Sequence, residues 1–215
     1  MHQKEMEIRS LYDYFSDIED HRRASGRRFA MADMLMLLTL SCLNHSVGYQ
    51  SMSRFFKNNR AALVAALSLK HGVPSYAGMY NFVNSLDISA VVEAINKWLF
   101  QFRDLGDSSW YSVDGKSLSG TITDAQGAAQ NLVSVVRLVQ HNSQAVVQFA
   151  YYLTGKKGES ETVKLLLRSD EVDIAEKTIT ADALHCNQAF LQLILQKDAG
   201  YVVQVKDNCA ALKKK

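Results

Sequence analysis

The hydrophobic period of this 215-residue chain changes once, and that change restricts the folds open to it. Up to about residue 105 the apolar side chains recur at helical spacing. Leu11, Tyr14, Phe15 and Ile18 repeat in this way, and Val91, Val92, Ile95, Trp98, Leu99 and Phe102 line one face of a later run. Residues 29–43 are apolar on nearly all sides, which predicts a central buried helix. Two shorter helical runs follow at 51–57 and 60–69. Pro74, the single proline, precedes Ser75, a good N-cap for a helix to 86, and residues 87–89 cap another to about 103. A polar turn at 104–109 ends this pattern. Beyond it, short strand-like runs lie at 110–113, 132–138, 145–152, 177–181 and 201–205, with helical runs at 160–168 and 187–196. The order predicts an α+β chain. An all-helical N-terminal domain at 1–105 precedes a mixed-sheet domain at 106–215. In the sheet, an antiparallel meander leads into helix-linked strands. A right-handed crossover sets the fourth strand parallel to the first.

That topology brings two carboxylates to one sheet edge. Asp114 follows the first strand-like run and Asp182 the fourth. Two carboxylates at the ends of neighbouring strands suit Mg²⁺ or Mn²⁺ and phosphoryl transfer. Gly115 lets the backbone turn tightly beside Asp114. Lys116 is placed to meet a phosphate, and His185 and Gln188 to approach the same groove. Each residue also has a plainer reading. An aspartate after a strand is commonly a turn former or a helix cap. Lys116 taken alone is a solvated charge, and His185 taken alone a surface or helix-start residue. The pairing of the two aspartates carries the metal-site reading.

Composition adds local detail. The net charge of +2 does not by itself mark a nucleic-acid binder, but residues 20–28 hold Arg22, Arg23, Arg27 and Arg28. Guanidinium forks suit backbone phosphates. The apolar run 31–43 is too short to span a membrane and carries Asp33. The N-terminus has no secretory core, so a soluble cytoplasmic protein is expected. Cys42, Cys186 and Cys209 have no metal-ligand or disulfide-framework spacing.

The motif residues resemble a known family. Val113 to Thr121 resembles the "DGK-x-LRG-S/T" motif of DDE transposases of the H-repeat-associated, ISAs-type insertion-sequence family. Ile179 to Gln188 resembles their "T-x-DA-x-x-x-Q" motif. Tyr201 to Asn208 resembles "DY-x-x-x-x-K-x-NQ", and Lys157 to Glu161 with Leu165-Leu166 resembles "K-S-NE-I…LL". Upstream, residues 20–28 resemble the "DPR…G-R-R" opening of the helical domain that accompanies these enzymes, and Pro74-Ser75 with Leu86-Asp87 fits the same domain. The matches run in order along the chain.

The resemblance implies a ribonuclease-H-like catalytic domain after the helical one. It also implies a DNA transposase that cleaves and transfers strands by two-metal phosphoryl transfer. Asp114 and Asp182 match the first two acids. Mg²⁺ or Mn²⁺ is the implied cofactor and double-stranded DNA at insertion-sequence ends the implied partner. Lys116, Arg22, Arg23, Arg27, Arg28 and Lys206 are the implied DNA contacts. There are departures. Ser119 stands where the motif has arginine, Asn131 where a histidine often opens the second strand, and Cys209 where glutamine is usual. No residue matches the third acid, a glutamate from a helix beyond the last motif. The expectation is therefore an incomplete ribonuclease-H-like domain in a truncated transposase, inactive alone and prone to self-association. The alternative is a non-catalytic DNA-binding or interaction protein that modulates a full-length transposase. A weaker third reading recruits Glu159 or Asp207 as a substitute acid.

Overall fold

A computed structural model of the protein describes residues 8–102, 109–117, 122–123, 130–131, 133–153, 158–169 and 172–209. The chain divides into two compact units, Met1–Trp98 and Leu99–Lys215. The division falls inside a helix, earlier than the polar turn at 104–109. Residues 104–108 of that turn lie outside the described residues.

The first unit is helical: α1 (Leu11–Ser16), α2 (Met31–Leu43), α3 (Tyr49–Asn58), α4 (Arg60–Leu67), α5 (Tyr76–Asn84) and α6 (Ile88–Phe100). The nearly uniform apolar run becomes α2, and Ala32, Met34, Leu35 and Leu37 are buried while Leu43 at its end is exposed. No side chain caps the start of α2, so packing rather than capping holds it. α1 and α3 pack against it. Phe15, Phe56, Leu63, Met79 and Phe82 complete the same core. Each such side chain contributes about 1.5–3 kcal/mol by leaving water. The caps read from sequence are present. Ser75 Oγ accepts from the Gly78 amide at 3.2 Å, and Asp87 Oδ1 accepts from the Ser89 amide at 2.9 Å. Gly48 opens α3 with φ of 94°, a conformation costly for any residue with a Cβ.

The second unit carries β1 (Trp110–Ser117), β2 (Ile122–Thr123), β3 (Gln130–Asn131), β4 (Val133–Gln140), β5 (Val146–Leu153), α7 (Glu159–Arg168), β6 (Thr178–Ala181), α8 (Gln188–Gln196) and β7 (Gly200–Val203). Five strands form one sheet in the order β5-β4-β1-β6-β7, and β2 and β3 form a separate two-stranded ribbon. β4 is antiparallel to β1 and to β5, whereas β6 is parallel to β1 and β7 to β6. This is the mixed sheet expected, with the fourth long strand parallel to the first. The β2–β3 ribbon is too short to leave a periodic signal and was not expected.

The pleat separates the two faces of the sheet. Tyr111, Val113, Val136, Leu138 and Ile179 point into a core shared with Val163, Leu166 and Leu167 of α7 and Phe190, Leu193 and Ile194 of α8. The residues that alternate with them, including Ser112, Asp114, Lys116, Arg137 and Thr180, are half-buried or exposed.

Candidate functional site

β1 does not end at Val113. It runs on to Ser117, so Asp114 and Gly115 lie within the strand rather than at a turn. The Asp-Gly turn read from the sequence is therefore corrected. β1 pairs with β4 along nearly its whole length, from Tyr111–Gln140 to Ser117–Ser134, and that ladder carries the strand past the aspartate. The parallel pairing with β6 is shorter. Its last partners are Ser112 and Thr180. Asp114 and Asp182 each follow those partners by one intervening residue. They therefore leave the parallel pair in step, at its C-terminal end.

Their surroundings differ. Asp114 faces Arg137 directly across the ladder, and Arg137 Nη2 lies 2.8 Å from Asp114 Oδ2. The two side chains are 61% and 40% exposed, and a pair of that kind contributes about 0–1 kcal/mol. It is too weak to exclude a divalent cation. Asp182 caps the short turn Ala183–His185, accepting from the Leu184 amide through Oδ1 at 3.0 Å. Oδ1 of Asp114 and Oδ2 of Asp182 accept no hydrogen bond from the described residues. Two part-free carboxylates suit a hydrated Mg²⁺ or Mn²⁺, which keeps several waters and takes one or two carboxylates. Among the described residues no three His, Cys, Asp or Glu side chains converge as a ready-made metal cage.

One residue adjoins this pair from the other face of the sheet. Glu159, the first residue of α7, lays its carboxylate against Gly115. A Cβ at position 115 would overlap the Glu159 carboxyl group. Glycine is required there for close approach, not for a turn. Glu159 Oε1 lies 3.3 Å from His185 Nε2, and Oε2 accepts from the Tyr152 hydroxyl at 3.4 Å. Burial, and to a smaller extent the Glu159 charge, push the Tyr152 hydroxyl above its ordinary pKa, which keeps it a donor. His185 is buried, and its Nε2 is also 3.9 Å from Asp182 Oδ1. A chain Tyr152–Glu159–His185–Asp182 thus backs the second aspartate. The sequence reading put His185 near this groove, but it gave no signal that Glu159 and Gly115 meet. Gln188 begins α8.

This contact gives a double-mutant prediction. Gly115→Ala expels the Glu159 carboxylate and leaves buried His185 without its partner, at about 1–3 kcal/mol. In a Glu159→Ala background most of that loss disappears. Urea unfolding of the four variants reads the coupling, and equal losses in both backgrounds would refute the contact.

The expected DNA contacts divide into two groups. Arg22 is engaged internally. It holds both carboxylate oxygens of Asp20, through Nε at 2.8 Å and Nη2 at 2.7 Å, and donates to the Phe29 carbonyl. Arg27 donates to the carbonyls of Arg22 and Asp20, at 2.6 Å each. Arg22 is therefore engaged within the turn, and Arg27 partly so. Arg23 and Arg28 are exposed, as are Lys116, on the Asp114 face of β1, and Lys206 after β7. Lys213-Lys214-Lys215 and Ser119 lie outside the described residues.

The Arg22 hydrogen bond, with further help from Arg27, holds the Asp20 carboxyl below the usual carboxylate range. A lowered folded-state pKa stabilises the fold above the ordinary carboxylate pKa of about 4, and that contribution is lost as pH falls through the lowered value. Thermal melts by circular dichroism at pH 7 and about pH 3 should therefore show a smaller acid-induced drop for Asp20→Asn than for the wild type. Equal drops would contradict this role.

The chain is similar to several known proteins. The family described as DDE_Tnp_1-associated matches residues 12–99, most of the helical unit. YncI of Escherichia coli O157:H7, named as a transposase, is 24% identical over 203 residues, covering 94% of this chain and 51% of that protein. The H repeat-associated YbfD of E. coli K12, also named as a transposase, is 21% identical over 210 residues, covering 97% of this chain and 81% of that one. Among solved structures, a piggyBac transposase synaptic complex with hairpin DNA aligns with a TM-score of 0.49 and 13% identity, over 92% of this chain and 50% of that one. These matches support a relationship to the DDE-type transposases. The chain spans about half the length of YncI of E. coli O157:H7. No described helix is long and apolar enough to cross a membrane.

Proposed function

We propose that this chain is a DNA-binding transposase fragment whose Asp114 and Asp182 hold one divalent cation but do not complete strand transfer alone. The observation that supports it is the shared register of β1 and β6, which takes both carboxylates out of the parallel pair in step, with Lys116 on the same face. A bound Mg²⁺ or Mn²⁺ supplies Lewis-acid stabilisation of charge at a phosphorus centre. The chain's own residues do the rest. Asp114 and Asp182 anchor the ion, Glu159 and His185 hold Asp182 in place, and Lys116, Arg23, Arg28 and Lys206 meet backbone phosphates as fixed cations.

A second reading, a non-catalytic DNA-binding protein that modulates a full-length transposase, draws on the Arg137–Asp114 ion pair, which already neutralises one acid. Alanine at Asp114 or Asp182 changes Mn²⁺ binding only under the first reading.

Both readings predict salt-dependent DNA binding. With about four phosphates neutralised, affinity for a labelled duplex falls about a hundredfold between roughly 50 and 200 mM salt. Fluorescence anisotropy at those two salt concentrations checks this, and a salt-independent affinity would sink both. Efficient Mn²⁺-dependent transfer or nicking of supercoiled plasmid would overturn the inactivity.

A further inference from the structure

The helical unit holds a cavity of about 610 Å³ between the arginine turn and α5. That is within the range of small-ligand sites. Its chemistry is lopsided. Arg23 and Arg28 line it, and neither guanidinium forms a hydrogen bond or ion pair among the described residues. No aspartate or glutamate lines it. Arg22 also reaches it, but Asp20 cancels that charge, and its guanidinium lies 5.0 Å over the Phe82 ring as part of an apolar floor. Phe29 stands at one wall, edge-on to His71 at 6.3 Å. Two uncompensated cations at the mouth call for an anion, and aromatic side chains within call for a flat apolar group. A bare phosphate uses only the first feature and a neutral base only the second.

We infer that this cavity binds a nucleotide, its phosphate on Arg23 and Arg28 and its base against Phe29 and His71. The phosphate gains two charge-assisted contacts. The base gains stacking of the kind that side chains give unpaired bases, about 1–3 kcal/mol each. Such a nucleotide is either free or a single unpaired residue of a DNA strand, and only the strand form rests on the DNA-binding reading above.

The test uses the full chain and calorimetric titration with dAMP, deoxyadenosine, inorganic phosphate and a single-stranded oligonucleotide. dAMP or the oligonucleotide should bind, with deoxyadenosine and inorganic phosphate each at least about tenfold weaker than the better of the two. Arg23→Ala and Arg28→Ala should each weaken that binding about tenfold, and His71→Ala should weaken it too. Arg54→Ala, an exposed arginine on α3 outside the cavity, removes the same charge and should leave binding unchanged. Unchanged thermal melts show that the variants remain folded. An oligonucleotide that outcompetes dAMP assigns the site to a DNA strand, and dAMP that DNA fails to displace assigns it to a free nucleotide. The inference is overturned if neither dAMP nor the oligonucleotide binds. It is also overturned if inorganic phosphate binds as tightly as dAMP, or if Arg23→Ala and Arg28→Ala act no differently from Arg54→Ala. Duplex binding that keeps its salt dependence while the Arg23 and Arg28 variants match Arg54→Ala rejects the cavity and leaves the DNA-binding reading intact.

Discussion

Phe190→Ala destabilises the sheet-bearing unit by about 3–5 kcal/mol, the range for deleting a fully buried aromatic side chain. Phe190 is fully buried in the core shared by β1, β4, β6, α7 and α8. Its ring also packs against His185, with centroids 5.2 Å apart. Alanine thus removes both the filling of the core and the wall that keeps His185 against Glu159. A domain of this kind has about 5–15 kcal/mol in total, so the variant approaches unfolding under mild conditions. Phe190→Leu keeps most of the volume and costs less, about 1.5 kcal/mol. Urea unfolding followed by circular dichroism separates the two. Similar midpoints for Phe190→Ala and the wild type would show that α8 does not close this core.

The second large effect is on metal affinity. Asp114→Ala and Asp182→Ala should each weaken Mn²⁺ binding by at least about tenfold, since each removes one of two anchoring carboxylates. Asp182 is also a cap, and alanine there costs about 0.5–2 kcal/mol of stability for a reason unrelated to metal. Asp182→Ser keeps a capping oxygen and removes the charge. It should fold like the wild type and still lose the ion. Calorimetric titration of the three variants reads this. An Asp182→Ser variant that binds Mn²⁺ normally would reduce Asp182 to a turn cap.

Much of the fold was legible because the signals were local. The apolar run became α2, Ser75 became a cap, and the strand-like runs became the long strands in the expected order. Asp182 stands directly after β6, as read. What escaped the sequence depends on partners distant in the chain. Asp-Gly is an ordinary turn signal, yet at Asp114-Gly115 the β4 ladder holds the backbone extended and Glu159 fills the space beside the glycine. Four neighbouring arginines read as one basic patch, but Asp20 and nearby carbonyls take up Arg22 and much of Arg27. Charge counting along a segment cannot separate cations that fold inward from those left for a ligand. The cavity beside Arg23 and Arg28 was invisible for the same reason, since α5 and His71 supply its far side.

The central claim is that two aspartates leaving one parallel strand pair share a divalent ion. The most direct test is paramagnetic broadening of backbone amide signals in the full chain on titration with Mn²⁺. The account predicts loss of signal first at residues 113–116 and 181–184, and recovery of both segments in Asp114→Ala. Broadening centred elsewhere, or at only one of the two segments, would contradict it.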